Sequence, residues 1–113
     1  MTLAIENYII RQYRHCAERR NIPFLLTNDE VVKFFDLPCV YCGAMHSNKA
    51  TRKQYAISTR AYNGIDRINS DQPYSIGNTV VCCGKCNAAK SDMSVEAFMV
   101  SEWLKLRIQE VNG

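Results

Sequence analysis

Six cysteines stand in a chain of 113 residues, and four of them form two pairs with two-residue spacers, Cys39-Val40-Tyr41-Cys42 and Cys83-Gly84-Lys85-Cys86. Such a spacer lets both thiolates reach one tetrahedral ion, so the two pairs predict a four-cysteine zinc site. Gly43 after the first pair and Gly84 within the second are expected to permit the tight turns. Four thiolates leave no open position for substrate, which makes the predicted Zn²⁺ structural and sends the chemistry elsewhere. Cys82 competes with Cys83 as a ligand, since both precede Cys86, but the spacer favours Cys83. Cys16 and Cys82 otherwise read as small core residues.

A second feature is electrostatic. Between Leu37 and Ile65 there is no acidic residue, while Lys49, Arg52, Lys53 and Arg60 give +4 against +3 for the whole chain. Tyr55 and Tyr62 are interleaved with them. A solvated loop and edge hairpin would account for the charge alone. Beside a zinc knuckle, a basic strip with tyrosines also suits a phosphate backbone, where cations release counterions and rings rest against sugar or base. Lys85 and Lys90, on the second knuckle and the helix after it, extend the candidate nucleic-acid surface.

The elements that must position these groups are legible by period and punctuation. Leu3, Ile5, Tyr8, Ile9, Tyr13, Cys16 and Ala17 recur at helical spacing, and Asn21-Ile22-Pro23 ends that helix. Thr27-Asn28-Asp29-Glu30 is a capping box that opens a second helix to about Asp36, stopped by Leu37-Pro38. Asn63 to Ile68 reads as a short strand delivering Asp66 and Arg67 to its end, and Asn69 to Pro73 as turn chemistry. Thr79-Val80-Val81 is the return strand, after which Cys83 to Lys90 runs from a turn into a short helix. Ser94 caps a final helix to about Val111 whose apolar face carries Val95, Phe98, Met99, Trp103, Leu106 and Ile108, with Trp103 as core anchor. The fold class is α+β: a zinc-stapled hairpin and helix over residues 38–90, a helical lead-in over 1–37 and a closing helix over 94–111.

At 113 residues and 47% apolar the chain can bury one modest core, so a single domain is expected. No run of 18 apolar residues and no secretory leader is present, which favours a soluble intracellular protein, bound metal over disulfides, no membrane partner and no small-molecule cofactor.

Four pieces in order carry a resemblance: Cys-x-x-Cys-Gly, then Ile65-Asp66-Arg67-Ile68-Asn69, then Tyr74 through Cys83, then Cys86-Asn87-x-x-Lys90. From about Tyr13 to Phe98 the chain resembles the HNH endonucleases with a ββα-metal fold, small phage-type members most. The resemblance implies a metal-dependent DNA endonuclease, of homing, nicking or restriction type, acting on duplex DNA in a bacterial or phage-infected cell. It implies that Asp66 and Asn87 hold a catalytic Mg²⁺ or Mn²⁺, and that Asn78 fastens the loop between the strands. Where most members carry the histidine that activates water, this chain has Arg67. Arginine stays protonated and cannot be a general base, but it could clamp a phosphate. A minority of the family carries the same Asp-Arg pair with a tyrosine in the histidine's place, for which Tyr55 and Tyr62 are candidates here, followed by His46. Tyr62 shares a strand face with Asp66, yet four residues of strand span about 13 Å, so only a bulge at Asn63-Gly64 would bring it close. Tyr74 reads as loop packing. The competing function is a zinc-stabilised nucleic-acid-binding or protein-regulating module that lost hydrolysis along with the histidine.

Overall fold

The computed structural model describes residues 2–46, 48–52 and 58–113, the side chains of residues 52 and 58 aside. Lys53 and Tyr55 lie outside the described residues, as does the Arg52 side chain. Helix α1 spans Ala4–Arg19, with the Leu3 amide donating to Glu6 Oε1 at 2.8 Å. Asn21 takes a left-handed φ of +56°, and the Ile22 amide bonds back to the Ala17 carbonyl at 2.8 Å, so the helix is closed before Pro23 is reached. The buried face is Ile5, Ile9, Ile10 and Ala17. Leu3 and Cys16, expected on the core stripe, are exposed; Leu3 precedes the helix as its cap, and Ile10 turns the buried face away from Cys16. Helix α2, Asn28–Phe35, starts on the expected box, Thr27 Oγ1 accepting from the Glu30 amide at 3.2 Å and Glu30 Oε1 from the Thr27 amide at 2.8 Å.

Strands β1 (Asn48–Arg52) and β2 (Ser58–Tyr62) form one antiparallel pair, and β3 (Gly64–Arg67) and β4 (Thr79–Cys82) another. The chain passes between the sheets at Asn63, whose buried amide donates to the carbonyls of Leu37 and Ala44, both at 2.8 Å. A 3-10 turn, Ile76–Asn78, leads into β4, and α3 follows at Gly84–Lys90. Asp66 pairs with Val80 and Ile65 with Val81. The two-residue period of β3 therefore sends Ile65 into one core, with Ile5, Ile9, Ile10, Leu26, Val31 and Phe35, and turns Asp66 toward the other, against which Val80 packs.

The glycines differ in use. Gly43 has a φ of +85° and makes the turn of the first knuckle, as expected, whereas Gly84 is simply the first residue of α3. The single closing helix expected over 94–111 is two, α4 (Val95–Met99) capped by Ser94 and α5 (Glu102–Asn112) capped by Ser101. Ser101 Oγ accepts from the Leu104 amide at 3.2 Å, which starts a fresh helix and resets its phase. Phe98 and Leu104 are thereby buried, while Trp103 remains 40% exposed and rests on the Phe98 ring at 5.9 Å instead of anchoring the core.

Arg60 ties the β1-β2 hairpin to the helices: Nε lies 3.1 Å from Glu6 Oε2 and Nη1 2.8 Å from Asp36 Oδ1. The hydrogen bond from Arg60 holds the Asp36 carboxyl below its ordinary value. A carboxyl depressed by folding contributes stability that is complete above its unfolded pKa and is lost as pH falls through its folded pKa. Arg60→Met is therefore expected to lower the melting temperature at neutral pH, and the difference from wild type to shrink by about pH 2. Calorimetry at the two pH values checks it; an undiminished gap in acid would assign the effect to packing of Arg60 over the Phe35 ring at 5.6 Å.

Candidate metal centre and active site

The sulfurs of Cys39, Cys42, Cys83 and Cys86 are buried and lie within 4.8 Å of one another. The first knuckle is a turn closed by the Gly43 amide on the Cys39 carbonyl and the Cys39 amide on the Ala44 carbonyl, both at 2.9 Å, and the Val40 amide ties it to Val81 of β4 at 3.0 Å. The second sits on the first turn of α3, where Cys83 is the N-cap and its Sγ accepts from the Cys86 amide at 3.4 Å. Burial pushes the Cys42 and Cys86 thiols up, and a hydrogen bond from Cys82 draws Cys39 down. Four thiolates this close cannot all ionise without a cation among them, and a tetrahedral, thiophilic dication fits the set. Cys83 belongs to the cluster; Cys82 stands outside it, turned to Cys39 and to the Cys83 carbonyl at 3.5 Å. Arg107 of α5, which no sequence pattern singled out, lies beside Cys83 and Cys42 with its Nε buried and without a hydrogen-bond partner among the described residues, and carries charge of the sign that stabilises thiolates.

On the face of β3 turned toward this core, Asp66 presents a carboxylate whose side chain is 15% exposed. Tyr41, from the first knuckle, donates its hydroxyl to Asp66 Oδ2 at 3.3 Å, and Lys90 Nζ of α3 lies 3.1 Å from the same oxygen. The Tyr41 ring is held edge-on to Phe98 at 5.1 Å. Burial, and after it the Asp66 charge, raises the Tyr41 phenol well above its ordinary value, so it serves as a neutral hydroxyl. Asn87 lies three residues before Lys90 on α3 and is exposed. One carboxylate and one amide are oxygen donors of the kind a hard divalent cation takes, with water or phosphate completing its shell.

No family model matches the chain. Its structure superposes on the rare-cutting HNH restriction endonuclease PacI with a TM-score of 0.68 over 93% of this chain and 78% of that one, at 20% sequence identity. The chain has the HNH endonuclease fold. An uncharacterized protein of Acanthamoeba polyphaga mimivirus is 31% identical over 99 residues, which is 88% of this chain; the chain spans only 16% of that relative's length.

In this HNH fold the remaining candidates divide between the cleft and the scaffold. Asn78 Oδ1 accepts from the Asn69 amide at 2.9 Å, and its Nδ2 donates to the carbonyls of Asn69 at 3.0 Å and Pro73 at 2.9 Å, binding the turn between β3 and β4. Arg67 works on the same turn. It is 7% exposed, its Nη1 donates to the carbonyls of Ser70 at 2.6 Å and Gln72 at 3.0 Å, and its guanidinium covers the Tyr74 ring at 5.3 Å. The expected phosphate clamp is thus largely a loop fastener, because alternation along β3 puts Arg67 on the face opposite Asp66. Hydrogen bonds from a charged donor are worth about 1.5–3 kcal/mol each, so Arg67→Ala should cost roughly 3 kcal/mol in urea unfolding whatever it does to activity.

Tyr62 packs on Phe35 at 5.1 Å in the core of the N-terminal half, since β2 belongs to the other sheet and the chain turns at Asn63. His46 is exposed and paired with Asp36 at 3.0 Å. Of the candidate phosphate contacts, Lys49 and Lys85 are exposed, Lys85 standing 4.0 Å from Glu110. Arg60 and Lys90 are not free surface cations: each is committed to carboxylates, and Lys90 is 4% exposed. Among the described residues no helix is long and apolar enough to cross a membrane.

Proposed function

We propose that this chain is a divalent-metal-dependent endonuclease that hydrolyses phosphodiester bonds of duplex DNA, each site cutting one strand. The observation that carries the reading is the meeting of Asp66, Tyr41 and Lys90 within 3.3 Å at the junction of β3, the zinc knuckle and α3, in a fold whose neighbour PacI is a restriction endonuclease. Asp66 and Asn87 would hold Mg²⁺ or Mn²⁺, and such an ion supplies charge that bridges the scissile phosphate and steadies the leaving oxygen.

The chain's own groups do the positioning. Tyr41 donates a hydrogen bond to Asp66 and stays neutral, which leaves its oxygen lone pairs to accept from a water and aim it at phosphorus, that water's proton passing to a phosphate oxygen or to solvent. Tyr41 thus takes the tyrosine role for which the sequence offered Tyr55 and Tyr62. Arg67 and Asn78 keep the turn rigid so that Asp66 cannot drift. Exposed Lys49 and Lys85 offer charge to flanking phosphates, and the zinc site fixes Tyr41 and α3 relative to each other.

The binding-module reading draws on one observation, the neutral Lys90-Asp66 pair, which needs no ion for stability. Supercoiled plasmid separates the two. Nicking that requires Mg²⁺ or Mn²⁺ and disappears in Asp66→Ala is the result expected of the nuclease. A zinc-loaded protein that leaves the plasmid intact with either ion, yet shifts labelled duplex in a salt-sensitive way, would make it a binding module.

A further inference from the structure

Lys90 is an unusual neighbour for a carboxylate that takes a divalent cation. Its side chain is 5% exposed, it reaches Asp66 Oδ2 at 3.1 Å, and the ion pair is walled by Tyr41 and the turn of β3. The ammonium already neutralises the half-buried Asp66 carboxylate, so the pair offers an incoming dication no net negative charge. Asp71, Asp92 and Glu96 line the adjoining cleft, but all three are exposed to solvent and screened. Magnesium sites that rely on one or two carboxylates draw the rest of their negative charge from substrate phosphates. Here that dependence is built in, because the ammonium cannot leave without burying an unpaired charge elsewhere.

We propose that Lys90 makes loading of the catalytic ion conditional on a bound phosphodiester. The inference rests on the nuclease reading of Asp66. Without DNA, Lys90 holds the place of the cation and keeps Asp66 in its rotamer. A phosphodiester entering the cleft brings the missing negative charge, accepts from the ammonium, and leaves an Asp66 oxygen for the ion. Binding of ion and DNA is then mutually reinforcing, and by linkage each tightens the other by the same factor. The protein does not carry an armed ion while unbound.

The test reads Mn²⁺ binding directly, by electron paramagnetic resonance of the free ion, on zinc-loaded wild type, Lys90→Gln, Lys90→Met and Asp66→Asn. Each is measured alone and with a short duplex made resistant to cleavage by phosphorothioate substitution, after subtracting ions held by the duplex. Wild type is expected to bind Mn²⁺ at least tenfold more tightly with the duplex than without it. The two Lys90 variants should bind free Mn²⁺ about tenfold more tightly than wild type and lose most of the response to DNA. Wild type binding equally well with and without the duplex would overturn the gate, even if both Lys90 variants fail to fold. So would folded Lys90 variants whose free Mn²⁺ affinity matches wild type while Asp66→Asn abolishes binding; in that case the Asp66 ion site stands and the gate alone falls. Mn²⁺ binding indifferent to Asp66→Asn in every state would instead remove the ion site and the gate with it.

Discussion

Cys83→Ser is expected to strip the protein of zinc and of its folded C-terminal half together. The core around the four clustered sulfurs is Cys39, Tyr41, Cys42, Cys82, Cys83, Cys86, Phe98 and Leu104, so half of its buried members are the four candidate ligands. Hydrocarbon alone, chiefly Phe98 and Leu104 with the Tyr41 ring, is too little to hold α3, α4 and α5 against the entropy of ordering them. A structural zinc contributes about 10–16 kcal/mol in small domains. That is as large as the whole stability of a typical domain, about 5–15 kcal/mol. Cys83 is also the N-cap of α3 and is fully buried, so its loss removes a ligand and a helix start at once. Metal analysis and thermal melts followed by circular dichroism should show less than stoichiometric zinc and no cooperative transition, and chelation of wild type should reproduce both. Cys16→Ser, at an exposed position, should change neither. A Cys83→Ser protein that keeps one zinc and its melting temperature would show that Cys82, already turned to Cys39, can take over as ligand.

That the four-cysteine cluster could be located from the chain alone reflects how local its determinants are. Two-residue spacers, the left-handed Gly43, the Thr27-Glu30 box and the β-branched return strand are fixed by neighbours in sequence. What escaped was set by distance. Tyr41 and Asp66 are 25 residues apart, and only the knuckle folding under β3 brings the hydroxyl to the carboxylate. Lys90 read as a surface cation because nothing in Cys86-Asn87-Ala88-Ala89-Lys90 says that the last side chain turns inward. Strand alternation puts Tyr62 on the face of Asp66, but that rule holds within one strand and ends at Asn63, where the chain leaves one sheet for the other. Arg67 is legible as a strand residue, but its bonds to the Ser70 and Gln72 carbonyls are not, since sequence does not tell which carbonyls a guanidinium will find. The closing helix broke at Val100-Ser101 because a serine with a free amide three residues on caps as readily as it continues a helix.

Tyr41→Phe should lower plasmid nicking about a hundredfold while leaving the melting temperature close to wild type. The ring stays, with its edge-on contact to Phe98 at 5.1 Å, and only the hydroxyl facing Asp66 is lost. Asp66→Ala should cost about a thousandfold or more, because it removes both the carboxylate of the ion site and the acceptor that orients Tyr41. If both act on one water and one phosphate, their losses do not multiply: with the carboxylate gone, the hydroxyl has no fixed direction, and Tyr41→Phe in that background should cost less than tenfold. A double-mutant cycle on nicking rate measures the coupling. Losses that multiply would mean that Tyr41 and Asp66 serve separate steps. A fully active Tyr41→Phe would return the tyrosine role to the segment around Tyr55, and Tyr55→Phe would then be the variant that loses nicking without losing zinc.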